Sequence, residues 1–468
     1  MTATKLFLPL LAATSAFAAE TKVYRTENRG EMREVTANFW SDLCAENVNV
    51  IDLDNAVEDH KFLGLGVSIP ESSCYLLSKL DAAKRREILA SIWTKQGAAL
   101  SVARLQVGSS DYSMHAYTYN ETPDDIEMKH FSIANDKDFI IPLIKEIQEL
   151  NKDVYFFASP WSPPSWMKSN KNIGGGNMLN SYFGAYANYF VKYIEAYKRE
   201  GIDMSAVTTQ NEPNTDQFRM SPTCLWSEEQ EREFIVKHLA PKLKAANLPT
   251  KAWLWDHNYD GTNRVATALN DEALRNAIGA VAWHPYSGEP EMIKPLHDKY
   301  PSLPMMMTEM GPHINRYQRD AIWWGELMCG SFNNGCSLFT SWCMILDENG
   351  QPNISGGFPC AGFVELHSQT NAATPSEQFN AFRHFGPFLS RGAAILKDHY
   401  KKGKGSWATN NDKTTFSSAF KNPDGSFVVV VGNRDKNPFG RVQVTIKLNG
   451  RYLVVQALAG ALTTIVIK

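Results

Sequence analysis

Eight times between residues 62 and 389, a short apolar run of strand length gives way to a segment with helical spacing. The runs fall at 62–69, 100–107, 154–161, 204–210, 251–257, 281–286, 305–310 and 338–346. The helical segments follow at 78–96, 139–150, 182–197, 228–246, 265–277, 292–299, 316–328 and 376–389. Apolar runs that do not alternate with polar residues are buried on both faces, and a helix between each pair returns the chain for a parallel neighbour. Eight such pairs predict an α/β fold that closes into a (β/α)8 barrel. An open doubly wound sheet is the alternative, but no glycine-rich phosphate fingerprint follows the first strand. The stripe Tyr182, Tyr186, Tyr189, Phe190, Tyr193 and Tyr197 has helical spacing and reads as core packing.

The pattern changes at both ends. After residue 389 the chain reads as all-β. A strand at 427–431 follows the turn Asn422-Pro423-Asp424-Gly425, and Val442, Val444, Ile446 and Leu448 alternate. The hairpin dipeptide Asn449-Gly450 then leads to strands at 452–457 and 463–467. These are too few strands for a two-sheet sandwich. The mixed segment 20–61, with candidate strands at 23–24 and 48–53, is therefore expected to join them in one side β-sandwich domain. The organisation is a leader at 1–19, the N-terminal part of the side domain at 20–61, the catalytic barrel at 62–389, and the C-terminal part of the side domain at 390–468. The leader has Lys5, an apolar run at 6–13 and the small-x-small site Ala16-Phe17-Ala18, which predicts secretion. No other segment approaches a membrane span, and a formal net charge of -3 offers nothing to nucleic acid or an anionic membrane surface. Seven cysteines leave at least one thiol unpaired. Asn120 and Asn353 begin N-glycosylation sequons.

Chemistry concentrates at two strand ends. In Thr209-Gln210-Asn211-Glu212-Pro213-Asn214, Pro213 ends the fourth strand and leaves Asn211 and Glu212 at its carboxyl end. In Met305-Met306-Met307-Thr308-Glu309-Met310-Gly311-Pro312, Glu309 ends the seventh. A carboxylate at the end of a buried run is costly unless it is paired or used. The fourth and seventh strand ends face each other across a barrel mouth, where barrel enzymes hold their active sites. Two facing carboxyls are what glycosidic cleavage needs: one to protonate the leaving oxygen, the other to attack or stabilise the cationic sugar carbon.

At this point the chain resembles glycoside hydrolase family 30, the retaining β-glycosidases that include acid glucosylceramidase. The likeness is carried by Ser110-Asp111-Tyr112-Ser113, Tyr117-Thr118-Tyr119, Thr122-Pro123-Asp124-Asp125, Ala158-Ser159-Pro160-Trp161 with Pro164 and Trp166, and Asn211-Glu212-Pro213. It implies a barrel with a side β-domain built from both chain ends. It implies Glu212 as acid/base, Glu309 as nucleophile and Asn211 on the sugar 2-hydroxyl. Asp111 and Trp161 would hold the far hydroxyls, and Trp342 would stack on or bond the same ring. Arg104 would orient the carboxylates, and Tyr286 would bond the nucleophile and keep it ionised. His284, at the end of the sixth strand beside Tyr286, is placed with the substrate-binding residues as a hydrogen-bonded histidine rather than a metal ligand. His257 and His313 lack ligand spacing. No metal or cofactor is implied. The sequence departs from the family at Gly64-Leu65-Gly66-Val67 and Ile69-Pro70-Glu71, and Arg219 and Trp226 would shape the aglycone side. The expected reaction is double displacement on a β-glucoside, either a glucosylceramide-like lipid or β-1,6-glucan, with Glu212 raised in pKa and Glu309 ionised. A β-xyloside or β-fucoside, or a non-catalytic carbohydrate-binding barrel, are the alternatives.

Overall fold

In the computed structural model, eight parallel strands close on themselves: Gly64–Ser68, Val102–Gln106, Tyr155–Ser159, Met204–Thr208, Lys251–Asn258, Ile278–His284, Met305–Met310 and Cys336–Ser341. The structure describes residues 20–27, 30–36, 39–44, 48–215, 221–314, 320–356, 360–401, 403 and 414–468. The leader and Arg219 lie outside these residues. Closure is made by Leu338 to Ser341 pairing in register with Gly64 to Val67. The barrel interior is filled by one small cluster that includes Val102, Phe157, Ala206, Trp253, Ala280, Ala282, Met306 and Leu338. The Trp253 indole takes the space that its small neighbours leave. Gly66 is small for the same reason: a Cβ there would sit 2.8 Å from Val102. The Gly-Leu-Gly-Val departure in the first strand thus keeps its glycines against the lumen, while Leu65 and Val67 pack outward among the helices.

Several helices are shorter or more divided than their periodicity predicts. The helix read over 78–96 is the shorter Ala82–Trp93, capped by the Asp81 carboxylate on the Lys84 amide, and an unanticipated helix, Glu71–Ser78, precedes it. The segment 265–277 splits into Thr262–Ala268 and Glu272–Ala277, because Asp271 caps the Ala273 and Leu274 amides and starts a new helix. The segment 228–246 is continuous but carries a π-helical stretch, Phe234–Leu239, in its middle. The seventh helix runs Ala321–Asn333, further along than expected, with Asp320 as its cap. The eighth strand stops at Ser341. Residues beyond it form a separate small sheet of Ile345–Leu346, Val364–Leu366 and Ala373–Pro375 that the sequence reading does not anticipate.

Apart from Thr21–Glu27 with the short Arg33–Val35, the N-terminal strands do not pair with one another. Thr21–Glu27 lies beside Ala461–Ile467, Asn49–Asp52 beside Arg441–Leu448, and Val57–Lys61 beside Ala394–Lys397. Together the two chain ends build a seven-stranded and a four-stranded sheet over one apolar core of Val23, Ile51, Leu396, Val429, Val444, Ile446, Leu453 and Ile465. Both turns anticipated there form. Asn449 (φ 53°) and Gly450 (φ 72°) connect Leu448 to Arg451, and Gly425 (φ 89°) closes the loop before Phe427–Asn433.

All seven cysteines are thiols. Asn120 is buried and its amide donates to Asp125 at 3.0 Å, so folding hides that sequon. Among the described residues, no helix is long and apolar enough to cross a membrane.

Candidate active site

A cavity of about 230 Å³ opens at the carboxyl ends of the barrel strands. Its lining includes Asp111, Trp161, Asn211, Glu212, Tyr286, Glu309 and Trp342, seven of the nine residues picked from sequence. The other two, Arg104 and His284, are fully buried behind the carboxylates.

The fourth strand ends at Thr208. The Asn211 amide then donates to the Pro160 carbonyl (2.8 Å) and the Glu212 amide to the Asp256 carbonyl (3.1 Å). Glu212 itself takes a left-handed backbone (φ 51°), a conformation rare outside glycine and one that collects at functional sites. The result is a carboxylate projected into the cavity at the end of a strand whose hydrogen bonding has already stopped. Glu309 sits inside Met305–Met310, where Met306 and Thr308 already hold the inner face; the pairing register with the eighth strand shifts between Met307 and Met310, and that irregularity lets Glu309 reach the cavity as well. One oxygen of Glu212 and one of Glu309 lie within 4.8 Å of each other and of a His284 nitrogen.

Glu309 is held by donors only. Arg104 Nη1 bonds Oε2, and the Tyr286 hydroxyl donates to Oε1 at 3.0 Å. Arg104 also donates through Nη2 to Asn211 Oδ1 (2.7 Å) and Asp256 Oδ2 (2.9 Å). The first of these bonds turns the Asn211 amide nitrogen towards a ligand. The guanidinium lies 4.8 Å from the Trp161 ring and 5.6 Å from Trp342, and the two indoles stack at 5.0 Å. Arg104 is thus the floor on which both the nucleophile candidate and the aromatic wall rest.

His284 does not touch the cavity. Its Nδ1 is 3.3 Å from Glu212 Oε1 and its Nε2 3.1 Å from Asp256 Oδ1. This corrects its assignment to the sugar: with both nitrogens engaged and no exposure, it positions Glu212 instead. Burial pushes its pKa down. The Glu309 charge and the bonds to Asp256 and Glu212 push harder in the other direction, to about 9. The ring is therefore cationic at neutral pH.

Asp256 is the hub that sequence reasoning missed. It is fully buried, and its two oxygens accept from Arg104, Ser159 Oγ (2.7 Å), Thr208 Oγ1 (2.8 Å), His284 and Thr308 Oγ1 (2.6 Å). Burial raises its pKa, but Arg104, His284 and Thr308 outweigh burial and hold it well below the usual carboxylate range. The available signal was a lone acid near the end of an apolar strand, the same signal that singled out Glu309. His257 was also passed over, and it lines the cavity. Its Nε2 is 3.5 Å from Glu212 Oε1, and its Nδ1 contacts Asn214 Oδ1. Trp255 (φ 80°) and Asp256 (φ 64°) both have left-handed backbones, and the strand's pairing register shifts beside them. That irregularity brings Asp256 beneath the site and His257 to its rim.

Asp111 is half-buried, and its Oδ1, itself out of solvent, has no hydrogen-bond partner among the described residues. Burial, reinforced by the charges of Glu309 and Glu212, pushes its carboxyl up to about 8. A buried polar atom left unsatisfied at a cavity wall is a place for a ligand hydroxyl.

The carboxyl pair itself departs from expectation. Burial drives Glu212 up, but His257, His284 and Arg104 together draw it below its ordinary value. For Glu309, burial outweighs His284 and Arg104, and the Glu212 charge adds to it, leaving it above its ordinary value. The order is therefore the reverse of a raised Glu212 beside an ionised Glu309, set by burial of Glu309 and by His257 and His284 acting on Glu212.

Comparison with known proteins decides the family. Residues 62–389 match the glycosyl hydrolase family 30 TIM-barrel domain, and residues 408–465 match the family 30 beta sandwich domain. The chain belongs to glycosyl hydrolase family 30. The family 30 chain is 29% identical over 397 residues to an endo-1,6-beta-D-glucanase of Neurospora crassa, covering 82% of this chain and 80% of that protein. It is 24% identical over 439 residues to the lysosomal acid glucosylceramidase of Mus musculus, covering 88% and 82%. A solved endo-beta1,6-glucanase superposes with a TM-score of 0.83 at 26% identity, over 95% of this chain and 98% of that one.

Proposed function

We propose that this family 30 glycosidase is a secreted retaining enzyme that cleaves β-1,6-linked glucan. The observation that carries the retaining mechanism is the approach of Glu212 and Glu309 oxygens to within 4.8 Å. Double displacement uses carboxyls about 5–5.5 Å apart, whereas inverting enzymes leave about 6.5–9.5 Å for a water. Glu309 attacks the anomeric carbon as Glu212 protonates the leaving oxygen, and Glu212 then takes a proton from the water that releases the sugar. Asn211, Asp111 and the Trp161–Trp342 wall hold the ring while this happens.

The proton order of the two carboxyls fits this scheme once the pair is treated as one titrating unit. The His284 Nδ1 proton faces Glu212 across 3.3 Å. A proton taken up by Glu212 from solvent, with His284 kept cationic against Asp256, removes the negative charge that raises Glu309 and leaves the His284 and Arg104 charges that lower it. Arg104 and Tyr286, which donate only, then favour the ionised nucleophile. The acid and the nucleophile are thereby set by one proton.

Support for β-1,6-glucan comes from the names of the relatives: endo-1,6-β-glucanases of Neurospora crassa and Trichoderma harzianum at 29% and 28% identity. The acid glucosylceramidase of Mus musculus, at 24%, supports a glucosylated lipid as the second reading. The first experiment is proton NMR of the product as it forms from an aryl β-glucoside. The β-anomer is expected, and an initial α-anomer overturns the retaining mechanism. A panel of β-1,6-glucan, glucosylceramide and aryl β-xyloside then tests the substrate. Turnover of glucosylceramide with none of the glucan overturns the glucan assignment.

A further inference from the structure

Far from the sugar cavity, at the amino-terminal end of the last barrel strand, three side chains from distant parts of the chain converge. Asp59 Oδ2 is 3.0 Å from His60 Nδ1 and 2.8 Å from His297 Nε2, and all three atoms fall within 4.8 Å of one another. The side chains are 12%, 9% and 4% exposed. Asp59 and His60 belong to Val57–Lys61, the edge strand of the seven-stranded sheet, and His297 belongs to the barrel helix Lys294–Lys299.

The edge strand is built to bring them together. Neighbouring strand residues point to opposite faces. Here His60 pairs with Ile395 and Glu58 with Leu396, so Asp59 is an extra residue in a bulge. A bulge re-aims side chains, and this one turns Asp59 and His60 towards the same imidazole. Gly335, at φ 112°, makes room for that imidazole: a Cβ there would lie 2.5 Å from His297 Cγ.

The hydrogen bonding leaves a place for a cation. His60 Nε2 is 3.0 Å from the Cys336 carbonyl oxygen. A carbonyl only accepts, so Nε2 carries a proton, and in the neutral ring Nδ1 is a bare lone pair. That lone pair faces a carboxylate, which also only accepts. Two lone pairs at 3.0 Å require a positive centre between them. The surroundings resemble those of a metal-bound histidine, whose second nitrogen donates to a carbonyl and whose partner carboxylate is itself hydrogen-bonded. Here Lys397 Nζ donates to Asp59 Oδ1 at 2.8 Å.

We infer that Asp59, His60 and His297 form a binding site for a borderline divalent metal of the zinc class, which ties the edge strand of the side sheet to the barrel. Two imidazoles and one carboxylate suit zinc, whereas calcium and magnesium prefer all-oxygen shells. Bonds of about 2.0–2.1 Å in a tetrahedron hold ligand atoms about 3.4 Å apart, so the two short contacts open by roughly half an ångström as the metal enters. The metal takes the place of the proton between His60 Nδ1 and Asp59, which leaves to solvent; the His297 Nε2 proton moves to Nδ1, which has no hydrogen-bond partner among the described residues, and a water takes the fourth position.

The test uses full-length protein carrying Glu309→Gln, which breaks the second potential trio of Glu212, His284 and Glu309. EDTA-stripped protein is titrated with zinc chloride near neutral pH and its metal content measured after dialysis. One equivalent of zinc is expected, with a Tm raised by a few degrees. Adding His60→Gln or His297→Gln should remove both the equivalent and the shift. Folded Glu309→Gln protein that retains no zinc overturns the inference and leaves a proton alone as the bridge. An equivalent that survives both histidine changes overturns it as well. Should the histidine variants fail to fold, cobalt absorption of the Glu309→Gln protein decides: intense four-coordinate bands uphold the site, and weak six-coordinate bands overturn it.

Discussion

Replacing Tyr286 with phenylalanine isolates one bond to the proposed nucleophile. The hydroxyl donates to Glu309 Oε1 at 3.0 Å and accepts from the Gly311 amide at 3.1 Å. A hydrogen bond to a charged group contributes about 1.5–3 kcal/mol, and about 1.4 kcal/mol is one pKa unit. The phenol favours the ionised carboxylate, so its loss raises the pKa of Glu309, by about one to two units. Less of the enzyme is then in the attacking form on the acid side of the profile. The acid limb of kcat/KM should move to higher pH by that amount, and kcat/KM at a fixed pH below it should fall about 10- to 100-fold. The alkaline limb, set by the Glu212–His284 pair, should stay. The assay is kcat/KM against pH on an aryl β-glucoside for both proteins. An acid limb that does not move, or moves to lower pH, refutes the assignment of Tyr286 as the group that keeps Glu309 ionised.

Three further outcomes follow from the same contacts. Glu309→Gly should abolish turnover of an aryl β-glucoside, and azide should restore part of it as an α-glucosyl azide; a lectin-like barrel would show neither loss nor rescue. Asp256→Asn should cost about 3–5 kcal/mol in urea unfolding, because Arg104 and His284 lose a buried counter-charge, and kcat should fall with KM little changed. Asp136 is fully buried against the hydroxyls of Tyr117, Tyr119 and Tyr197, and burial raises its pKa to about 6. A carboxyl raised on folding stabilises the fold while protonated, and that contribution is lost as pH rises from about 4 through about 6. Relative to Asp136→Asn, the native protein should therefore lose about 3 kcal/mol across that window, measured by urea midpoints.

The barrel and its two carboxylates were legible because they depend on local signals. Period, burial and a terminating Pro213 or Gly311-Pro312 are enough to put Glu212 and Glu309 at strand ends, and counting strands puts them opposite each other. What stayed hidden depends on irregularity or on distance. Asp256 reaches beneath the site through two consecutive left-handed residues, which a strand pattern does not encode. His284 was counted among sugar contacts because a strand-end histidine looks the same whether it faces the ligand or the residue behind it. The proton order of the carboxyl pair is set by burial together with His257, His284 and Arg104, so no single position in the chain carries it. The π-helical stretch Phe234–Leu239 and the break at Asp271 are likewise settled by packing and capping rather than by apolar spacing.

The closing strand Ala461–Ile467 lies between Thr21–Glu27 and Phe427–Asn433, with Arg25 bonded to Thr463 across 438 residues of chain. On the ribosome, therefore, Thr21–Glu27 has only the short Arg33–Val35 beside it and lacks its long partner until Ala461–Ile467 has been made. The barrel is made in between and has time to assemble while that strand waits, its other edge unpaired. Joining ends so remote costs about 5 kcal/mol of chain entropy from length alone. A nascent chain stalled before residue 461 would hold a finished catalytic unit with a loose ribbon at its amino terminus, and quality control acting on exposed strands would detect truncation there before any loss of the sugar pocket.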